Sequence, residues 1–158
     1  MADRFNPGDD IRLYAALTDS AGDATDPTAM VLIVTKPNET QVGYKTSTGW
    51  ADQGSWDADE NDPALADGTG TGGHYYTVTV AGSVDFGNGS ITFAVGDQVF
   101  YNGVAWRKIP SPSATTLTKD GTGNYYVYQY VSQIGDWKVT GESVGARAGD
   151  VAYFGVGE

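Results

Sequence analysis

The chain predicts an all-β protein: a β-sandwich that carries a small β-rich insert. Three observations point there. Gly supplies 22 of 158 residues and aromatics 12%, while only 18% are charged, a mix suited to short strands and tight turns. No segment beyond about ten residues repeats apolar groups at i, i+3, i+4, i+7, the spacing of a buried helix face, so little helix is expected. Instead, short apolar runs punctuated by Gly, Asp, Asn and Pro recur along the chain, which is the strand-and-turn order of a sandwich.

Residues 10–17 alternate, with Ile11, Leu13, Ala15 and Leu17 on one face by the two-residue period of a strand. A polar turn, Asp19 to Asp23, leads through Asp26-Pro27 to Ala29–Thr35, AMVLIVT. Its unbroken apolar run predicts a central strand buried on both faces. Lys36-Pro37-Asn38-Glu39 turns the chain, and residues 40–46 return as a weaker strand. Residues 47–73 are rich in Asp, Gly and Ala, hold Trp50 and Trp56, and show no period. A structureless loop of that length is unusual inside one compact domain. Residues 47–113 are therefore read as an inserted unit, irregular at its start, with strands at 74–80, 91–93, 98–101 and 104–109.

Asn102-Gly103 joins the last two of these strands. Asn-Gly admits positive φ at both central residues, which predicts a two-residue type I′ hairpin. Tyr101 and Trp106 flank that turn and Phe100 lies beside them, so the hairpin reads as a display of aromatic rings. Pro110 to Ser113 closes the insert, and strands resume at 115–119, 124–131 and 135–141, with 151–156 closing the sheet. Residues 1–46 and 114–158 then form one discontinuous sandwich, since insertion at a loop tip is tolerated where the loop ends lie close together.

Twenty acidic against nine basic residues leave a net charge of −11. Such a surface repels phosphate backbones and anionic lipid, which argues against nucleic-acid and membrane-surface partners. Cysteine is absent, so there is no disulfide, thiolate ligand or cysteine nucleophile. The opening MADRFNPGDD has neither a basic n-region nor an apolar h-region. No apolar stretch reaches the roughly 18 residues of a membrane span. Synthesis in a cytoplasm, without export by a signal peptide, is the expectation.

Two catalytic patterns fail on context. Gly68-Thr69-Gly70-Thr71-Gly72-Gly73 matches G-x-G-x-x-G, but it follows a loop and precedes a strand, where a dinucleotide site needs a strand before it and a helix after. It is read as a flexible glycine-rich lead-in. Gly141-Glu142-Ser143-Val144-Gly145 matches the nucleophile elbow G-x-S-x-G, yet the single histidine, His74, lies far upstream and no helix follows. His74 alone cannot assemble a zinc site. The acidic run Asp57 to Asp62 lacks the Gly and Glu that an EF-hand loop places at its sixth and twelfth positions. No catalytic residue, metal ligand or cofactor is assigned.

The aromatics carry the functional reading. Trp50, Trp56, Tyr75, Tyr101 and Trp106 lie in or beside the insert. A small unit buries few large rings, and exposed Trp and Tyr suit the apolar faces of sugars or the anchors of an interface. Ordinary core packing explains Trp56 and Trp106 with no ligand and is the favoured reading of each ring, with the contact reading left open beside it. Tyr126, Tyr128 and Tyr130 share one strand face, a tyrosine stripe that is either core or subunit contact.

Short motifs add a resemblance. Pro7-Gly8-Asp9-Asp10-Ile11-Arg12-Leu13 opens the chain, followed by Asp19 to Gly22 and Asp26-Pro27-Thr28. Asp120, Gly123, Tyr126, Tyr128, Gly135 and Trp137 mark its end. In these motifs the outer segments resemble the small immunoglobulin-like domains of tailed-phage structural proteins. The middle, from Gly54-Ser55-Trp56 through Ala64-Leu65-Ala66-Asp67-Gly68 to Trp106-Arg107-Lys108, is similar to modules of phage tail-fibre and adhesin-like proteins. It also distantly resembles the small chitin-binding modules, from which it departs at Trp106, where those usually carry Tyr.

The resemblance implies an immunoglobulin-like β-sandwich in a non-enzymatic virion protein, a head or tail decoration or accessory component assembled in the host cytoplasm. Its expected partners are other virion proteins and further copies of itself. The insert, projecting outward, is expected to adhere weakly to cell-surface glycans through its aromatics, since many copies turn weak contacts into avidity. A purely structural head, neck or tail component and a stand-alone carbohydrate-binding module are the alternatives.

Overall fold

The computed structural model describes residues 4–111, 116–144 and 152–156. Among these there are fourteen strands and no helix: β1 (Arg4–Phe5), β2 (Asp10–Ala16), β3 (Ala29–Thr35), β4 (Gln41–Lys45), β5 (Ala51–Asp57), β6 (His74–Val80), β7 (Gly82–Asp85), β8 (Ser90–Phe93), β9 (Gln98–Tyr101), β10 (Trp106–Ile109), β11 (Thr118–Gly121), β12 (Asn124–Tyr130), β13 (Gly135–Val144) and β14 (Ala152–Val156). They form a five-stranded sheet in the order β1-β14-β13-β3-β4, a three-stranded sheet β11-β12-β2, a four-stranded sheet β10-β9-β6-β5, and a β7-β8 hairpin. The protein is all-β.

Strict alternation builds the first core. Ile11, Leu13 and Ala15 of β2 and Tyr125 and Val127 of β12 point inward from the three-stranded sheet. Across from them stand Met30, Leu32 and Val34 of β3 with Trp137 and Val139 of β13. The two sheets thus face each other over one apolar layer, as the two-residue period requires. Inside it Tyr44 donates its hydroxyl proton to Gln129 Oε1 at 2.5 Å, so the buried polar pair satisfies itself.

The apolar run of β3 is explained by what covers its other side. Val31 is fully buried and groups with Phe100 and Ile109, with Ile33, Trp50 and Tyr75 packed against them. The four-stranded sheet therefore lies on the outer face of the five-stranded one. Its own strands are apolar on both sides: Phe100 points to the sandwich, while Val99 and Tyr101 point away. On that far side Trp56, Val78, Val99, Tyr101 and Trp106 join Val84, Phe86 and Phe93 of the β7-β8 region in a second core.

Three sequence expectations change. Residues 51–57, inside the stretch that reads as irregular, form β5, which pairs in parallel with β6. Only Trp56 of that strand is fully buried, so no apolar period marks it. The Asn102-Gly103 hairpin is not a two-residue type I′ turn. Tyr101 pairs with Trp106, which leaves four residues in the loop, and only Gly103 has positive φ. Asn102 caps that loop through its side chain, with Oδ1 accepting from the amides of Val104 and Ala105 at 2.9 Å each. This side-chain bonding is the alternative conformation that Asn offers.

The third change concerns the lead-in of residues 68–73, which is packed rather than free. A Cβ on Gly70 would fall 2.7 Å from the Tyr101 ring, one on Gly72 2.6 Å from Val144, and one on Gly73 would collide with the Gly49 carbonyl oxygen. Here glycine permits close approach. Residues 112–115, which include the expected end of the insert, lie outside the described residues, as does Gly145 of the G-x-S-x-G match.

Candidate contact surface

Three of the five aromatic residues singled out in the insert have no surface to offer. Trp56, Tyr101 and Trp106 are 0%, 4% and 3% exposed, because both faces of their sheet are covered. Their polar atoms are also engaged. Trp56 Nε1 donates to the Pro63 carbonyl at 3.1 Å, Trp106 Nε1 to the Thr69 carbonyl at 3.0 Å, and the Tyr101 hydroxyl to the Val104 carbonyl at 3.0 Å. The Tyr101 and Trp106 rings lie 5.2 Å apart within the core. The hairpin that reads as a display of rings holds them inward.

Trp50 and Tyr75 are half-buried and sit at the seam between the five-stranded and four-stranded sheets. Trp50 meets Phe100 edge-on at 5.4 Å and donates Nε1 to the Thr46 carbonyl. The Lys45 ammonium lies 4.4 Å from the Tyr75 ring centre and 5.6 Å from that of Trp50, and bonds Gln98 Oε1 at 3.0 Å. Burial pulls the Lys45 ammonium below its ordinary range. These two rings are occupied by a lysine of the protein itself.

The exposed aromatics lie elsewhere. β12 pairs β2 in antiparallel register, with Tyr126 opposite Tyr14, Tyr128 opposite Arg12 and Tyr130 opposite Asp10. All point away from the first core, onto the outer face of the three-stranded sheet. Tyr14, Tyr128 and Tyr130 are 56%, 58% and 57% exposed. The Arg12 guanidinium is held between two rings, 3.8 Å from the centre of Tyr126 and 4.5 Å from that of Tyr14. Its charge meets Asp120 at 3.0 Å. Tyr126 and Tyr128 contact each other edge-on at 5.8 Å.

The sequence places Tyr126, Tyr128 and Tyr130 on one face but does not say which way that face turns; the structure turns it to solvent. Tyr14 and Arg12 are not singled out by sequence reasoning, although a signal for them exists. Both stand at outward positions of the alternating run that begins at Asp10.

A polar cavity of about 310 Å³ opens at one end of the sandwich, lined by Asp26, Thr28, Thr46, Lys119 and Tyr125 among others. Asp26 organises it: its carboxylate accepts from Lys119 Nζ at 2.5 Å, the Gly123 amide at 2.9 Å and the Tyr125 hydroxyl at 3.3 Å. The bond from Lys119, then that from Gly123, holds the Asp26 carboxyl below its ordinary 3.8, and the same pairing raises Lys119. The cavity's one ammonium and one carboxylate neutralise each other.

Elsewhere, the acidic run turns on itself. Asp57 Oδ1 accepts from the amides of Asp59 and Glu60 at 2.9 and 3.1 Å. Among the described residues no group of three or more His, Asp or Glu is placed to hold a metal. No helix of the described residues is long and apolar enough to cross a membrane.

Fold and surface together define an all-β protein of stacked sheets, with one outer face covered by its own chain and the other bearing exposed tyrosines. No protein-family model, curated protein or solved structure matches the chain.

Proposed function

We propose that the protein is a non-enzymatic structural component of a tailed-phage or phage-like particle, an accessory of its head, neck or tail, built on an immunoglobulin-like sandwich. The observation that carries this reading is the tyrosine–arginine face of β2 and β12. Tyr and Arg are the residues enriched where protein surfaces meet, and here they occupy the outer sheet face that the insert leaves bare. Tyrosines also supply contact area at a small loss of side-chain freedom. The insert supports assembly over adhesion, because its large rings are packed into its own core or against the sandwich. The phage setting rests on the motif resemblance at Pro7 to Leu13 and Asp120 to Trp137.

Two measurements test this. The genes flanking the coding sequence are expected to encode capsid or tail proteins, and the chain is expected in purified particles at several copies each. A metabolic gene neighbourhood, absence from the particles, or glycan hydrolysis by the pure protein would overturn the reading.

A further inference from the structure

We propose that the tyrosine–arginine face docks a cationic protein surface that presents arginine side chains. The inference rests on the assembly reading above and names the chemistry of the partner. The protein contains its own template for the contact. Arg12 lies between the Tyr14 and Tyr126 rings at 4.5 and 3.8 Å from their centres, with Asp120 neutralising it at 3.0 Å. An aromatic face attracts a guanidinium in this geometry through the ring quadrupole, more so once water leaves.

Next along the same strand, Tyr128 and Tyr130 stand opposite Arg12 and Asp10 and present two further rings on the same face. Both are more than half exposed, and among the described residues their hydroxyls have no hydrogen-bond partner. Asp10 stands opposite Tyr130 and brings a carboxylate to that end of the face. This end of the ladder thus offers exposed tyrosine rings and a carboxylate, the same kinds of group that hold Arg12 through Tyr14, Tyr126 and Asp120.

Charge selects the occupant. The face's one cation is already paired with Asp120, and the chain carries a net −11. A second copy would bring that same excess of negative charge, whereas a basic surface gains from it. The footprint, three strands wide and about seven residues long, covers roughly 350 Å². That is below the ~800 Å² per partner of a stable pairwise complex, so each contact is weak and many copies on a particle combine it through avidity.

The test uses the full chain, labelled with ¹⁵N, and three probes: an Arg-Gly repeat peptide, a Lys-Gly repeat and a Glu-Gly repeat. The Arg-Gly peptide is expected to shift amides of β2 and β12, to bind more tightly than the Lys-Gly peptide, and to weaken as salt is raised. Binding is expected to fall about tenfold in the double variant Tyr128→Ala/Tyr130→Ala, two exposed cation–ring contacts being lost. It should persist in Tyr128→Phe/Tyr130→Phe, which keeps the rings and controls for folding.

Equal affinity in the Ala variant, shifts confined to the acidic loop of residues 57–62, or equal binding of the Lys-Gly peptide would overturn the proposal. So would a dimer of the pure protein abolished by the Ala variant, which would make a second copy the occupant, or glycan-array binding that the variant removes. If these peptides fail while the chain is still found in particles, this inference falls and the assembly reading stands.

Discussion

Trp106 is held at three points: its ring lies against Tyr101 and Tyr76, its indole N–H reaches the Thr69 carbonyl, and its amide reaches Asp67 Oδ1 at 2.7 Å. Trp106→Ala is expected to lower stability by ~3–5 kcal/mol, the range for emptying a buried aromatic site. A urea melt followed by circular dichroism checks it, and a loss below about 1 kcal/mol would mean that the ring is not core. Nothing in the local sequence announces this burial. Tyr101 and Phe100 occupy opposite faces of one strand, and alternation marks a ring as exposed only when one face is wet. Here another layer covers each side, and distant parts of the chain supply those layers.

Asp26 shows the same dependence on distant partners, since Lys119, Gly123 and Tyr125 come from the other half of the chain. Its folded carboxyl titrates below the ordinary 3.8. The stabilisation it contributes is therefore complete above pH 3.8 and is lost as pH falls through the lowered value. Asp26→Asn is expected to flatten that part of the acid limb, read as the urea midpoint against pH. A limb unchanged by the substitution would show that the pair adds nothing, as many exposed ion pairs do.

Among the elements, β2 and β12 are legible in the sequence because each is wet on one face. β2 and β12 bury alternate residues, so period and burial coincide. β3 is legible for the opposite reason, as an unbroken apolar run signals cover on both sides. β5 escapes because it is an edge strand with one buried ring, and its pairing with β6 is broken by register shifts. The glycine-rich lead-in is recognisable as loop but not as packing. Glycine serves both flexibility and close approach, and only the neighbours decide between them.

Those neighbours make the glycines testable. Gly54 and Gly73 both have positive φ, +97° and +86°, but a Cβ on Gly54 would meet no atom within 4 Å, whereas one on Gly73 would run into the Gly49 carbonyl oxygen. Gly54→Ala is expected to lose only the ~1 kcal/mol of left-handed backbone strain. Gly73→Ala should lose clearly more, because backbone must move as well. Equal midpoint shifts in a denaturant series would show that the lead-in yields freely.

At the scale of the whole molecule, four layers are stacked: the three-stranded sheet, the five-stranded sheet, the four-stranded sheet and the β7-β8 hairpin. Two large cores are joined through a small third one, in which Phe100 and Ile109 meet Val31. Among the described residues the polar crossings around it include Lys45 to Gln98, Trp50 to the Thr46 carbonyl, Asn102 to Glu142 at 3.2 Å and Arg107 to Glu142 at 3.8 Å, each weak by itself. Cooperation between the two large cores is therefore expected to come mainly from the apolar seam. Phe100 is its centre, fully buried and packed edge-on against Trp50. The native chain is expected to unfold in one calorimetric transition, with agreement between calorimetric and van't Hoff enthalpies. Phe100→Ala empties the centre of the seam, leaving Val31 and Ile109, while Val99 and Tyr101 still serve the second core. It is expected to split the transition in two, with a total loss of ~3–5 kcal/mol. A single transition merely shifted to lower temperature would mean that the two cores are coupled by more than this seam.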